Sequence, residues 1–228
     1  MANGYLVEID NQEREHEALL RLVENPIYYL YFFARLGLNP VSWYLLEIRE
    51  HYFAGAIPSE IDILAGHLEF ESGKIDWLKS TNYIIAIEAK IAYLDLLEDR
   101  IKSQKSSTQK IHQIRSKIED LNGLGFDKVV LLDMIANPPA LGQDGSAWFV
   151  ALDRALSSID KMPVLKERLS DSTTAGHWVW SIGSVIGGDE RMRGAGVPIE
   201  LKTARTNHFI ETDRHTQNRR REVQKKLS

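Results

Sequence analysis

Two stretches decide the fold: SEIDILAG, residues 59–66, and YIIAIEAKIA, residues 83–92. Both are isoleucine-rich and short, which favours strands over helices. In a strand, alternate side chains share a face, so Glu60, Asp62 and Leu64 point one way and Ile61, Ile63 and Ala65 the other. By the same rule Ile84, Ala86, Glu88 and Lys90 share a face, opposite Ile85, Ile87, Ala89 and Ile91. A face that begins apolar and ends with a carboxylate and an ammonium has left the core at its C-terminal end, because charged groups buried without partners are costly.

Working outward, residues 13–24 read as a helix, and Asn25-Pro26 opens a second helix that runs to Gly37. Its segment IYYLYFFARL is apolar nearly all round, which predicts burial or a subunit contact. After Asn39-Pro40, VSWYLLEIREHYFAG, residues 41–55, reads as a third helix stopped at Gly55. A long charged helix is expected from Asp95 to about Asn122. FDKVVLLDMIA, residues 126–136, suits a strand buried on both faces. AWFVALD, residues 147–153, reads as a strand leading into a helix that ends near Leu169, and HWVWSIGSVIG, residues 177–187, as a further strand. Strands separated by helices predict an α/β fold with a central mixed sheet flanked by helices and a helical N-terminal part. The division is residues 1–57 as the helical segment, 58–186 as the core, and 187–228 as a Gly/Arg-rich loop and basic tail.

The 228 residues are 43% hydrophobic and contain no cysteine. Thiolate metal sites, disulfides and cysteine nucleophiles are thereby excluded, and a metal would sit on carboxylates, histidines or carbonyls. The first residues are acidic rather than signal-like, and no apolar run is long enough to span a membrane, so a cytoplasmic location is expected. The net charge is -4. From residue 187 onward ten Lys or Arg stand against six Asp or Glu, a surplus of four, which leaves eight net negative charges on the preceding 186 residues. Such a tail suits a polyanion, or else a solvated terminus.

The arrangement of Asp62, Glu88 and Lys90 resembles the PD-(D/E)XK nuclease superfamily, with an Asp at one strand end and Glu-x-Lys on the next. The resemblance covers roughly residues 41–136 and implies a restriction-endonuclease-like core. It implies that Asp62, Glu88 and the backbone carbonyl of Ala89 hold Mg2+ or Mn2+, and that Lys90 orients water or steadies charge on the scissile phosphate. Glu60 is a further acid on the same strand face, and Glu47 or Glu50 is a candidate for the helix Glu that related enzymes add. Gln109 and Gln113 match the helix Gln of some branches. Ile61 stands where the signature has proline. The implied activity is hydrolysis of DNA by an endonuclease of restriction, defence or repair type, with Arg191, Arg193, Arg219, Arg220 and Arg221 as nucleic-acid contacts. A homodimer is expected if both strands are cut, since that requires two sites.

Other readings compete. Asp62, Glu88 and Lys90 also suit a structural ion pair at a strand end, or a silent nuclease-like domain that binds nucleic acid or protein. Glu200-Leu201-Lys202 repeats the motif but lacks an upstream strand Asp and a leading apolar strand. The seven histidines are scattered without metal-ligand spacing and read as surface or satisfied core groups. Trp178 and Trp180 share a face, which favours packing over base stacking. GGDERMRGAG, residues 187–196, lacks the strand-before, helix-after context of a phosphate cradle.

Overall fold

The computed structural model describes residues 11–49, 60–95, 100–103, 108–136, 168–183 and 198–228. Two helical pieces open the chain: α1 (Asn11–Glu24), and α2 (Pro26–Tyr28) continued by a π-helical turn (Tyr29–Phe33). Asn25 caps α2, its side chain accepting from the Ile27 amide, and Pro26 takes the first-turn position where its missing N–H costs nothing.

The strands are β1 (Ser42–Ile48), β2 (Ile61–His67), β3 (Phe70–Glu71), β4 (Lys74–Ile75), β5 (Ile84–Asp95), β6 (Arg100–Ser103), β7 (Lys128–Ala136), β8 (Gly176–Gly183) and β9 (Ile199–Lys202). Short helix α3 (Trp77–Ser80) precedes β5, α4 (Thr108–Gly123) joins β6 to β7, and α5 (Phe209–Thr212) and α6 (Arg214–Leu227) close the chain. The main sheet has the order β1-β2-β5-β7-β8-β9, with β6 on β5 as well. β5, β7 and β8 are parallel, and the outer pairings are antiparallel, giving the expected mixed sheet flanked by helices.

Each sheet face has its own core. On the first, Leu19 and Leu22 of α1 with Phe32 and Phe33 cover Ile63, Ile85, Ile87, Leu132, Trp178 and Trp180. Both indoles are fully buried, edge-on to Phe32 and Tyr28, so they pack rather than present stacking surfaces. On the second, Ile114, Ile118 and Leu121 of α4 and Val223 of α6 cover Leu64, Ile84, Ala86, Val129 and Leu131. From Val129 to Met134 β7 is thus apolar on both faces, interrupted at Asp133.

Two sequence expectations need correction. Residues 42–48 are strand, not helix: Trp43 lies across from Gly66, where the indole packs so close that a Cβ would sit 2.5 Å from its ring. Pairing with β2 overrides a local pattern that suits a helix. The helix expected from Asp95 starts only at Thr108, because β5 continues to Asp95 and β6 folds back on it. Glu200 and Lys202 do lie in a strand, β9, at the edge of the sheet; there the Lys202 ammonium caps a turn, donating to the carbonyls of Ser170 and Thr173 at 2.9 Å each. The strand expected at 147–153, most of the helix after it and the Gly/Arg-rich loop lie outside the described residues. Among the described residues no helix is long and apolar enough to cross a membrane.

Candidate metal centre

β5 is flanked on one edge by β7 along Ile85 to Tyr93, but its other edge is shared. β2 pairs with it from Ile84 to Ile87, and β6 from Ala92 to Asp95. Between them, at Glu88 to Ile91, this edge has no strand partner among the described residues. Asp62, at the start of β2, answers the gap: its Oδ2 accepts from the Ala89 amide at 2.6 Å in place of a ladder carbonyl.

The resulting geometry centres on Lys90. Its ammonium lies 2.6 Å from Glu88 Oε1, 3.6 Å from Asp62 Oδ2 and 2.5 Å from the Ala89 carbonyl oxygen. The expected metal donors therefore converge on one positive centre, and Asp62, Glu88 and Lys90 are brought together. A fourth oxygen, Glu15 Oε1 of α1, stands 3.9 Å from the same nitrogen. From the opposite helix layer Lys117 of α4 pairs with Glu88 Oε2.

Burial sets the electrostatics. The Glu88 side chain is 0% exposed and pairs with both ammoniums. Burial, reinforced by Asp62 and opposed by Lys90 and Lys117, lifts its carboxyl to about 7. Glu15 rises to about 7 as well, through burial opposed by Lys90 and reinforced by Asp62 and Glu88. Burial alone would lower the Lys90 ammonium, but Asp62, Glu88 and Glu15 outweigh it and hold the pKa well above the ordinary lysine value.

A second buried polar group lies next door. Asp133, across from Lys90 on β7, pairs with Arg168 and accepts from His177 Nε2 at 2.7 Å. Burial, then Arg168 and Lys202, keep the imidazole well below its usual pKa, so His177 is a neutral donor and a satisfied core residue.

The remaining sequence candidates separate. Glu47 lies on β1, not on a helix, and pairs with His16 at 2.8 Å. Glu60 is exposed ahead of β2. Gln113 is exposed on α4, and Gln109 lies in that helix with its side chain outside the described residues, as are Glu50, Arg191 and Arg193 altogether. Arg221 is exposed and Arg219 half-buried, whereas Arg220 is turned inward onto the chain. It donates to the carbonyls of Gly125 and Asn82 and pairs with Asp127 at 2.9 Å.

Sequence reasoning missed Glu15 and Lys117. Glu15 had a signal: with Ala18, Leu19 and Leu22 it occupies the inward stripe of α1, a position where an acid needs a partner. Lys117 borders the buried positions Ile114, Ile118 and Leu121 of α4, and its partner on β5 is visible only in three dimensions.

Asp62, Glu88 and the Ala89 carbonyl are hard oxygen donors of the kind that Mg2+ and Mn2+ take, and the point they converge on is held by the Lys90 ammonium. Among the described residues no group of three or more His, Cys, Asp or Glu is arranged to hold a metal; the third donor here is a backbone oxygen. No protein-family model matches the chain, and no curated protein or solved structure does.

Proposed function

We propose that the protein is a divalent-metal-dependent nuclease that hydrolyses DNA phosphodiester bonds, an endonuclease of the restriction, defence or repair kind. The observation that carries this reading is the convergence of Asp62, Glu88 and the Ala89 carbonyl on a single cation, the Lys90 ammonium. Those three would hold Mg2+ or Mn2+, which when bound lowers the pKa of water and offsets charge on a phosphate. The chain's own groups prepare the site. The Ala89 amide fixes the Asp62 carboxylate, and Lys117 stabilises the ionised form of a Glu88 that burial would otherwise protonate. Lys90 supplies a permanent positive charge for the scissile phosphate, and Glu15 holds that ammonium from the α1 side.

Purified protein is expected to nick or linearise plasmid DNA with Mg2+ or Mn2+ and to stop with EDTA. Lys90→Ala abolishes cutting; wild-type rates in that variant would sink the assignment. A silent nuclease-like binding domain is favoured by one observation, the saturation of Glu88 by two ammoniums. Such a domain would show no Mn2+-dependent rise in melting temperature, whereas the nuclease reading requires one.

A further inference from the structure

Helix α6 is two-sided. Thr216, Arg220, Val223 and Leu227 recur at helical spacing on its inward stripe. On the outward stripe Arg214, Asn218, Arg221 and Lys225 recur at the same spacing, all exposed, with Lys226 beside them. The inward Arg220 directs its charge at Asp127. The outward cations are exposed, and among the residues of the helix only Glu222 is acidic, so the stripe carries a net positive charge. From Arg214 to Lys225 it spans about 16 Å, long enough for several successive phosphates.

The last turn of α6 is tied to a second feature. Gln224 Nε2 donates to the Thr81 carbonyl at 2.8 Å, and Thr81 directly follows α3. On that single turn Trp77 is 42% exposed, in contrast to Trp43, which is buried and bonded to the Ser80 carbonyl. A half-exposed indole on the turn that leads to Thr81 and a cationic stripe on the helix that bonds to Thr81 are, on neighbouring elements, the two features that bind unpaired bases, a π-face and a track of positive charge.

We propose that the outer face of α6 and Trp77 form a binding surface for single-stranded nucleic acid, with phosphates along Arg214, Arg221, Lys225 and Lys226 and a base stacked on the indole. The surface is distinct from the Lys90 centre, since α6 docks at residues 81–82 and 125–127, at the N-terminal ends of β5 and β7. It rests on the nuclease reading only for the choice of nucleic acid among polyanions. A duplex would offer Trp77 no free base face.

The test is fluorescence anisotropy of a labelled 30-nucleotide oligothymidylate with the full chain in EDTA, where no cutting occurs. The wild type binds with an affinity that falls with salt. In the variant carrying Arg214→Gln, Arg221→Gln, Lys225→Gln and Lys226→Gln, binding at about 0.1 M salt weakens more than tenfold. The slope of log affinity on log salt becomes shallower by about 3, at roughly 0.7 per phosphate on a single strand. Trp77→Ala weakens binding about tenfold with the slope unchanged. The fourfold variant keeps the wild-type circular dichroism and urea midpoint, because its altered groups are exposed, and Trp77→Ala keeps the wild-type circular dichroism. Stronger binding of a fully paired duplex with no effect of Trp77→Ala would overturn the proposal, as would equal competition by heparin. A protein that binds the oligonucleotide but never cuts DNA sinks the nuclease reading and leaves this surface standing.

Discussion

Of the three carboxylates around Lys90, Glu15 is the one whose loss leaves Asp62 and Glu88 in place. Burial raises Glu15 and Glu88 from about 4.5 to about 7, so the native state binds more protons than the unfolded chain across that range. Their contribution to stability is full below about pH 4.5 and is lost as pH rises through 7. His177 has the opposite sign: its depressed pKa means stability is lost as pH falls below 6.5, so the wild-type profile mixes both effects. The difference between wild type and Glu15→Gln isolates one. In EDTA the variant is expected to be more stable at pH 8 by about 1 to 3 kcal/mol and to match the wild type at pH 4.5. Urea midpoints across that range check this; a difference that stays flat would show that Glu15 is not held at a raised pKa. Asp62→Asn is expected to raise the metal-free melting temperature by the equivalent of about 0.5 to 2 kcal/mol, since Asp62 helps to disfavour the charged form of Glu88. The same variant loses the Mn2+ response, worth about 2.7 kcal/mol in the wild type at a hundredfold excess over Kd. Strand alternation is enough to put Glu88 and Lys90 on one face of their strand, and Asp62 joins them through the antiparallel pairing of β2 with β5. Glu15 is not legible beside them, because residues 41–55 carry a pattern that suits a helix and so bring Glu47 and Glu50 forward rather than α1.

At the scale of elements, α6 shows why a charge count cannot separate structural from binding residues. Arg219, Arg220 and Arg221 are consecutive, yet Arg220 joins the helix to the turn after α4 and Arg221 faces solvent. Gly125 makes this possible: its φ is +80°, and a Cβ there would lie 2.8 Å from Arg220 Cβ. Arg220→Ala is expected to cost about 1 to 3 kcal/mol in urea unfolding, because it takes the cation from half-buried Asp127 and the donors from two carbonyls, while Arg221→Ala stays within about 0.5 kcal/mol. Equal effects would mean that the inward and outward stripes are wrongly assigned. Truncating the tail removes Val223 from the second core as well as its charges, so point substitutions separate what a deletion confounds. Strand β1 is the instructive misreading. SWYLLEI carries enough apolar side chains for either period, and what makes it a strand is the bare backbone of Gly66 beneath Trp43, twenty-three residues away in the chain. Gly66→Ala should therefore destabilise by about 1 to 3 kcal/mol, measured by the same unfolding assay.

Across the whole molecule, one sheet gathers strands from every part of the sequence: β1 from the helical N-terminal segment, β9 from the C-terminal one. Trp43 lies in the core on one face of the sheet, and Trp178 and Trp180 in that on the other. Intrinsic fluorescence thus samples both layers, and its unfolding transition is expected to coincide with that of far-UV circular dichroism. Separate transitions would show that the two faces unfold independently. The mixed sheet was legible from the order of strand and helix patterns, since consecutive elements tend to be neighbours. The shared edge of β5 was not, because the return of β6 depends on where a strand stops rather than on what it contains. That shared edge turns the Ala89 amide into an internal reporter. Its proton is bonded to a carboxylate of Asp62 instead of a neighbouring strand, so its NMR chemical shift and hydrogen-exchange rate follow the state of that one side chain. Titrating a labelled sample with Mn2+ would broaden this resonance first, and titrating with diamagnetic Mg2+ would move it, giving a residue-level record of site occupancy without any substrate.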